Sequence, residues 1–440
     1  MKRRHFLGGA LAATLAPLTA LPAAARRPNF IVVLADDLGY GDFSAYGNRL
    51  IRTPRLDRMA KEGIRLTNAY ASANVCTPSR AGLLTGRMPI RTGLAKDVIR
   101  PTDRNGLPPE EVTIAEALKP DYATAFVGKW HLGHVAPFWP PTQQGFDLFF
   151  GLPYSHDMKP LSLYETAGPG VELTQEGVDF PRLTQRFFDR ALRFIDDRHD
   201  SPFFMVLAPT APHIPLDPHP DFHGRSAAAD YGDVVEELDY QMGRLLDRLR
   251  ERGIDRDTLV VVTSDNGPWF EGSTAGLRDR KGGAGWDGGY RVPFIARQPG
   301  VIPQGRVSDA ITMNIDLLPT VVAMAGRNLP AGLTIDGKDI SAVLKSRSIS
   351  PHEQLLLFNN ESLAGLRTDR WKYVVESYYR TVSIPLGAYK YPLLFDMKND
   401  PGENYNVAAR HPDVMKDMAA RMGQARQAFG ITEPRVAAEP

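Results

Sequence analysis

Two pairs of polar residues follow apolar runs that are typical of buried strands. The run at residues 29–35 leads into Asp36-Asp37, and the run at 258–263 leads into Asp265-Asn266. In open α/β sheets, ligands bind beyond the carboxyl ends of the strands. Carboxylate and amide oxygens are the ligands that Ca²⁺ and Mg²⁺ prefer. The pattern predicts a divalent-cation site, although residues of these types also cap loops and form turns.

The single cysteine lies where a helix is expected to begin. Pro78 suits the first turn of a helix, which places Cys76 at the helix N-terminus, where the dipole and free amides favour an anion. Arg80 is four residues further on and shares a helix face with Cys76. A small buried hydrophobe is the common fate of a free cysteine, but the polar neighbours Thr77 and Ser79 argue against it.

These residues resemble a family signature. The segment from Cys76 to Arg80 reads Cys-Thr-Pro-Ser-Arg and resembles the C-x-P-S-R signature of sulfatases, and Leu83-Leu-Thr-Gly86 continues it. Six further segments match sulfatase motifs in order: 36–42, 128–133, 154–157, 211–215, 263–267 and 281–293. The resemblance runs from about residue 28 to about residue 428. The chain is identified as an arylsulfatase-like member of the sulfatase family, within the alkaline phosphatase superfamily.

The resemblance implies that a formylglycine-generating enzyme oxidises Cys76 to an aldehyde, which hydration turns into a geminal diol. One hydroxyl would attack the sulfur of a sulfate ester, and the second would later expel the sulfate and regenerate the aldehyde. A serine could attack, but it could not use that exit. The implied activity is a sulfuric ester hydrolase of the arylsulfatase type, acting on a sulfated small molecule or glycan.

The resemblance also implies a set of metal ligands. They are four residues at the strand ends together with residue 76: Asp36, Asp37, Asp265, Asn266 and Cys76. The implied ion is Ca²⁺, with Mg²⁺ as an alternative.

Further roles are implied for basic and hydroxyl side chains. Arg80 would orient the diol and steady the metal carboxylates. Lys129 and Lys281 would clamp the sulfate, and Ser155 would donate a hydrogen bond to it. His131 would act as the base of the elimination step. The remaining residue, His213, would contact the substrate and protonate its leaving oxygen, together with Lys281.

Each of these assignments has a structural alternative. Lys129 could be a solvated surface lysine, and Lys281 could belong to an exposed basic loop with Arg278 and Arg280. The two histidines could be hydrogen-bonded core residues, and serine is common in loops. Asp287 stands where sulfatases more often have Glu, and we expect it to have a structural role.

Strand and helix patterns alternate along most of the chain. Strands are predicted at 29–35, 123–127, 202–208, 258–263 and 292–296, and helices at 53–63, near 78, 182–198, 230–252 and 316–325. The alternation predicts a large, doubly wound, mostly parallel sheet flanked by helices, forming a catalytic α/β domain over residues 26–345. Residues 346–440 are predicted to form a smaller α+β domain with an antiparallel sheet and a helix at 412–429.

Composition narrows the function classes. The 440 residues are 43% hydrophobic and 23% charged, as in globular proteins. A net charge of +1 gives no electrostatic case for a nucleic acid or an anionic membrane as the main partner. One cysteine allows neither an internal disulfide nor a multi-cysteine metal site.

The N-terminal segment, residues 1–25, has the pattern of a signal peptide. Arg3-Arg4-His5-Phe6-Leu7 resembles a twin-arginine motif, an apolar stretch follows, and Pro22-Ala-Ala-Ala25 suits cleavage after Ala25. An ordinary Sec signal is the alternative. Both predict a periplasmic or secreted mature protein, and no other segment is long and apolar enough to span a membrane.

Two other functions fit the same residues. A formylglycine-dependent phosphonate monoester or phosphodiester hydrolase would use the same catalytic residues on a different class of ester. A non-catalytic binder of sulfated glycans would keep the pocket and lack the modification. The joint presence of Cys76, Lys129, His131 and Lys281 argues against the binder.

Overall fold

The computed structural model describes residues 27–168, 173–346, 349–379 and 382–432. The predicted signal peptide lies outside these ranges. Within them, a large mixed sheet of eleven strands has helices on both faces, and a smaller sheet of four antiparallel strands follows it in the chain. The predicted fold class is therefore confirmed.

The strands of the large sheet have these bounds: β1 Asn29–Ala35, β2 Ile64–Tyr70, β3 Ala123–Lys129, β4 Leu148–Leu152, β5 Leu163–Thr166, β6 Thr174–Glu176, β7 Phe203–Ala208, β8 Thr258–Ser264, β9 Arg291–Arg297, β10 Arg306–Ser308 and β11 Thr312–Met313. The smaller sheet contains β12 Leu355–Asn359, β13 Ser362–Arg367, β14 Trp371–Val374 and β17 Leu393–Asp396, and a separate hairpin contains β15 Ser377–Tyr379 and β16 Val382–Ile384.

The α-helices have these bounds: α1 Pro54–Lys61, α2 Cys76–Thr85, α3 Ile114–Leu118, α4 Leu183–Arg198, α5 Ala229–Glu251, α6 Asp287–Tyr290, α7 Leu317–Met324, α8 Ser341–Lys345 and α9 Pro412–Phe429. None of the helices in the described ranges is long and apolar enough to cross a membrane.

The order of the large sheet is β10-β2-β9-β8-β1-β7-β3-β4-β5-β6, with β11 beside β2. The central strands β8, β1, β7, β3 and β4 run parallel. The strand predicted at 292–296 is present as β9, but it runs antiparallel to both β2 and β8. The carboxyl ends of β1, β3, β7 and β8 therefore meet at one edge of the sheet, as the parallel arrangement requires.

Strand β1 shows why the centre of the sheet is apolar on both faces. Phe30 and Val32 pack into the hydrophobic core on one face, and Ile31 and Val33 pack into the core on the other. Helices cover both faces, so alternation between polar and apolar residues disappears and a continuous apolar run remains.

The smaller sheet and α9 pack against the β2–β9 side of the large sheet. Leu357 and Met418 from the C-terminal region share one hydrophobic cluster with Tyr70, Tyr290 and Met313. Helix α8 ends at Lys345, and β12 begins at Leu355. The division into domains at 345/346 stays a prediction.

Candidate active site

The carboxyl ends of β1 and β8 place the two acidic pairs side by side. Parallel pairing aligns Ala35 with Ser264, so the next residue of each strand leaves the sheet at the same level. The amide of Asp265 donates to the carbonyl of Ala35 at 3.1 Å, and the amide of Asp37 donates to Asp265 Oδ1 at 3.1 Å. Together with Asp36, which is fully buried, these residues bring three carboxylates to one point.

Cys76 is the first residue of α2 and points into this acidic cluster. Its Sγ lies 3.6 Å from Asp36 Oδ1 and 4.0 Å from Asp37 Oδ1. Burial raises the pKa of the Cys76 thiol to about 12, because the loss of hydration outweighs the positive charge of Lys129 and Lys281. The expected preference of the helix N-terminus for an anion is therefore overcome, and the unmodified thiol is protonated at neutral pH.

Arg80 binds the carboxylates from the next turn of α2. Its Nε and Nη2 lie 2.9 Å and 2.8 Å from Asp265 Oδ2, and Nη2 lies 3.5 Å from Asp36 Oδ1. Nη1 donates to the carbonyl of Lys129 at 2.7 Å. Burial alone would lower the pKa of Arg80, but Asp265 and Asp36 raise it. The planar guanidinium fixes the positions of two strand ends and one helix relative to each other.

Lys129, the last residue of β3, is completely buried. Its Nζ donates to both oxygens of Asp36, at 2.8 Å and 2.7 Å. The preceding Gly128 has φ of 119°, and a Cβ there would lie 1.9 Å from the carbonyl oxygen of Ala208. Burial alone would raise the pKa of Asp36, but Lys129 and the neighbouring cations hold it well below its ordinary value. The alternative of a surface lysine is wrong.

Lys281 and His213 both approach Asp37. Lys281 Nζ donates to Asp37 Oδ2 at 2.7 Å, and His213 Nε2 lies 3.6 Å from the same oxygen. The ring Nδ1 of His213 contacts the carbonyl of Ile214. A carbonyl can only accept, so Nδ1 carries a proton and Nε2 is left to face the site. The side chain of Lys281 is 13% exposed, so it borders the open side of the cluster.

His131 is buried in the loop that follows β3. It adopts a left-handed φ of 61°, and its Nε2 lies 2.9 Å from the carbonyl of Ile99. That contact requires a proton on Nε2, so Nδ1 holds a lone pair, and Nδ1 has no partner within the described residues. Burial, with Lys129 and Arg80, lowers the pKa of His131 well below its ordinary value. The ring is therefore neutral, and Nδ1 presents an unshared lone pair.

Ser155 and the residue after it carry buried polar atoms that have no partner in the described part of the chain. These atoms are Ser155 Oγ and His156 Nδ1. His156 Nε2 lies 3.0 Å from the carbonyl of Pro215. Ligand atoms of His156, His213 and Asp36 all lie within 4.8 Å of one another. Unpartnered buried donors and acceptors are costly, which is consistent with a ligand that completes them.

Sequence reasoning gave His156 no role, and it missed the contribution of Thr77. Thr77 Oγ1 donates to the carbonyl of His131 at 2.9 Å and accepts from the amide of Ile99 at 3.0 Å. It thereby ties the first turn of α2 to the loop that carries His131. The only sequence signal for either residue is its place inside a recognised motif.

The strand-end residues fit a hard divalent cation. Ligand atoms of Asp36, Asp37, Cys76 and Asp265 lie within 4.8 Å of one another, and all four residues are buried. Asn266 donates through Nδ2 to Asp37 Oδ1 at 2.8 Å, which leaves its buried Oδ1 without a partner among the described residues. Three carboxylates and a free amide oxygen form the oxygen-rich donor set that Ca²⁺ and Mg²⁺ require.

Asp287 lies outside this cluster, in a buried ionic network between the two sheets. It accepts from Lys372 Nζ at 2.6 Å and from the hydroxyl of Tyr70 at 2.9 Å. Lys372 also pairs with Glu403 at 2.5 Å. These contacts support the structural role expected for Asp287.

Two family models match the sequence of this chain. The family model described as Sulfatase matches residues 28–327. The chain belongs to the sulfatase family. A second model, described as the C-terminal region of N-sulphoglucosamine sulphohydrolase, matches residues 284–428 of this sulfatase. That range spans β9 and the smaller sheet, and Tyr290, Met313 and Leu357 from it share one hydrophobic cluster.

Individual relatives are similar over most of their length. The sulfatase is 37% identical to human arylsulfatase A, with 93% of this chain and 89% of that protein covered. It is 34% identical to mouse steryl-sulfatase, with 96% and 87% covered. The solved PsFucS1 sulfatase from Pseudoalteromonas sp. superimposes with a TM-score of 0.84 at 29% identity, covering 94% of this chain and 92% of that one. The protein is therefore a sulfatase enzyme that hydrolyses sulfate esters.

Proposed function

We propose that this sulfatase uses a formylglycine formed from Cys76 and a divalent cation, Ca²⁺ in the first place and Mg²⁺ as an alternative. One observation carries the proposal. The first residue of α2 lies against three buried carboxylates and within a ring of fixed cations, with Arg80 and Lys129 completely enclosed. That arrangement suits the binding of a negatively charged ester beside a metal and a modified side chain.

Residue 76 carries the reacting group. When present, the formylglycine supplies a geminal diol, of which one hydroxyl attacks the sulfur and the other later expels the sulfate. Its position at the start of a helix directs free backbone amides towards the same point, which stabilises negative charge there. The partner implied for its formation is a formylglycine-generating enzyme that recognises the segment from Cys76 to Arg80.

Four residues would hold the metal: Asp36, Asp37, Asp265 and Asn266. When bound, the ion lowers the pKa of a hydroxyl on residue 76 and neutralises an oxygen of the sulfate. Arg80 holds Asp265 and the strand ends in place, so the ligands keep their geometry without rearrangement.

Two lysines would bind the sulfate group from opposite ends of the acidic cluster. Lys129 contacts Asp36, and Lys281 contacts Asp37. Each ammonium group lies beside a carboxylate that would also bind the metal, so each borders the place where sulfate oxygens would meet the ion. Ser155 Oγ, which is buried and has no partner in the described ranges, is free to donate to a third oxygen.

The two histidines would move protons at the two ends of the reaction. His213 Nε2 faces the site while Nδ1–H is held by a backbone carbonyl, so the ring protonated at both nitrogens would direct its Nε2 proton at the leaving oxygen. His131 Nδ1 holds a lone pair, and the carbonyl of His131 accepts from Thr77 in the first turn of α2, so this ring would take the proton from the diol during elimination. Both roles depend on the ring orientations that the carbonyl contacts fix.

The substrate is proposed as a sulfated small molecule or glycan, and the mature protein as periplasmic or secreted after removal of residues 1–25. One solved structure that is 26% identical, Ps i-CgsB, is described as a complex with a neocarrahexaose. It supports the glycan as the class of substrate.

The test compares wild type with Cys76→Ala on a 4-nitrophenyl sulfate and on the corresponding aryl phosphonate. The variant removes one sulfur from a buried position, so we expect normal folding and loss of essentially all hydrolysis. Activity of the variant within tenfold of wild type would remove residue 76 from the reaction. If the wild type hydrolysed the aryl phosphonate faster than the aryl sulfate by orders of magnitude, the phosphonate would be the preferred substrate. Binding without turnover by fully modified protein would indicate a non-catalytic binder.

A further inference from the structure

Two large aromatic side chains are exposed on the loop that joins two site residues. The segment 267–280, which we call the rim loop, begins directly after Asn266 and ends directly before Lys281. Within it, Trp269 is 38% exposed and Phe270 is 67% exposed. Single exposed aromatics are common on protein surfaces, but an adjacent pair beside a charged site is a candidate contact for a ligand.

The rim loop is fastened to the site at both ends. The amide of Lys281 donates to the carbonyl of Pro268 at 3.0 Å, next to Trp269 in the chain. The amide of Gly282 donates to the carbonyl of Asn74 at 2.9 Å, two residues before Cys76. Pro268, which directly precedes the aromatic pair, is therefore hydrogen-bonded to the lysine proposed to bind the sulfate.

The middle of the rim loop is also held. The amide of Ser273 donates to Asp42 Oδ1 at 2.8 Å, and the amide of Gly41 donates to the carbonyl of Ser273 at 2.9 Å. Asp42 is buried and belongs to the loop that follows the metal-binding pair after β1. The rim loop is thus part of the site scaffold, which reduces the entropy lost when a ligand binds to it.

Arg280 contacts both residues of the aromatic pair. Its Nη1 donates to the carbonyl of Trp269 at 2.9 Å, and its guanidinium lies 5.2 Å from the centroid of the Phe270 ring. The two rings pack edge to face, with centroids 4.6 Å apart and planes at 77°. One ring presents a face where the other presents an edge, so the pair forms a corner with apolar walls.

We propose that Trp269 and Phe270 form the subsite for the alcohol part of the substrate and pack against the apolar face of a six-membered ring. This inference rests on the proposed function, because it requires the sulfate to bind at Lys129 and Lys281. The alcohol is covalently attached to that sulfate and must leave on the open side, which Lys281 borders. The rim loop carries an exposed apolar surface and is joined to Lys281 by a backbone hydrogen bond. Both aryl rings and sugar rings offer such a face.

The test measures Trp269→Ala and Phe270→Ala in the modified, metal-loaded enzyme. Substrates are 4-nitrophenyl sulfate for the aryl ring and galactose 6-sulfate for the sugar ring, and inorganic sulfate is the inhibitor that lacks a ring. We expect kcat/KM to fall about tenfold on at least one ring substrate, mainly through KM, with the inhibition constant of sulfate within twofold of wild type. A fall confined to one substrate identifies the ring type that the subsite takes.

Control variants separate the subsite from general damage. Trp269→Phe keeps a ring and is expected to stay within threefold of wild type. Tyr240→Ala removes an exposed aromatic on α5 that has a similar cation contact, Arg55 at 5.1 Å, and is expected to change nothing. Changes below twofold in both alanine variants on both ring substrates would overturn the proposal. An equal rise in the sulfate inhibition constant would also overturn it. Failure of wild type to hydrolyse either ester would instead count against the proposed function.

Discussion

Replacing Arg80 by Met tests whether this side chain holds the acidic cluster together. Arg80 is only 2% exposed and contacts Asp265 through two nitrogens, at 2.9 Å and 2.8 Å. Without it, Asp265 loses its closest cation, while Asp36 keeps Lys129. Removing one partner of a buried ion pair costs about 3–5 kcal/mol.

A second loss adds to the first. Arg80 Nη1 donates to the carbonyl of Lys129 at 2.7 Å, and Met has no donor to replace it. A buried acceptor left without a partner costs about 1–3 kcal/mol. The two contributions overlap because they share one side chain, so we expect the free energy of unfolding to fall by about 5 kcal/mol.

Urea unfolding in the presence of a chelator measures this effect apart from metal binding. Arg421→Met is the matched control, because Arg421 pairs with Asp417 at 2.8 Å on the exposed surface of α9. Exposed pairs of this kind contribute about 0–1 kcal/mol. A loss below about 1 kcal/mol in the Arg80 variant, equal to that of the control, would refute the inference that Arg80 stabilises the carboxylate cluster.

Three further predictions address the metal site, the sheet interface and a buried acid. Asp265→Asn removes one of three clustered carboxylates, so calcium titration should show at least tenfold weaker binding, and an unchanged calcium requirement would contradict the proposed ligand set. Lys372→Met leaves Asp287 and Glu403 buried without their shared cation. The free energy of unfolding should therefore fall by about 3–5 kcal/mol, while KM stays unchanged. A large change in KM would indicate that Asp287 takes part in the reaction. Burial, partly offset by a hydrogen bond from the amide of His219, raises the pKa of Glu237 to about 7. The folded state therefore holds a proton that the unfolded state has lost, and stability falls as pH rises from about 4.5 to about 7. The free energy of unfolding of Glu237→Gln relative to wild type, measured by urea unfolding, should be about 2 kcal/mol higher at pH 8 than at pH 5. A difference between the two proteins that does not depend on pH would contradict this.

The sequence was sufficient to predict the elements that carry the site. Continuous apolar runs predicted β1 and β8, and the polar pairs after them mark the carboxyl edge of the sheet. Pro78 predicted the start of α2, which begins two residues earlier, at Cys76. These predictions depend on local composition and on burial, which a single sequence carries well.

The contacts between these elements could not be read from the sequence. Lys281 reaches Asp37 across 244 positions, and this pairing depends on how the rim loop folds back. The antiparallel direction of β9 depends on how the long connection over residues 265–290 folds, and a strand pattern alone does not reveal direction. The raised pKa of the Cys76 thiol reflects complete burial, which outweighs the helix N-terminus that the sequence indicates.

Mass spectrometry of the tryptic peptide Leu66–Arg80, from protein exported by its native host, tests the central claim most directly. The account predicts that the peptide has lost the sulfur of Cys76 and carries a carbonyl oxygen in its place. An intact thiol in a preparation that hydrolyses sulfate esters would contradict the account, and the roles proposed for the residues around Cys76 would then have to be withdrawn.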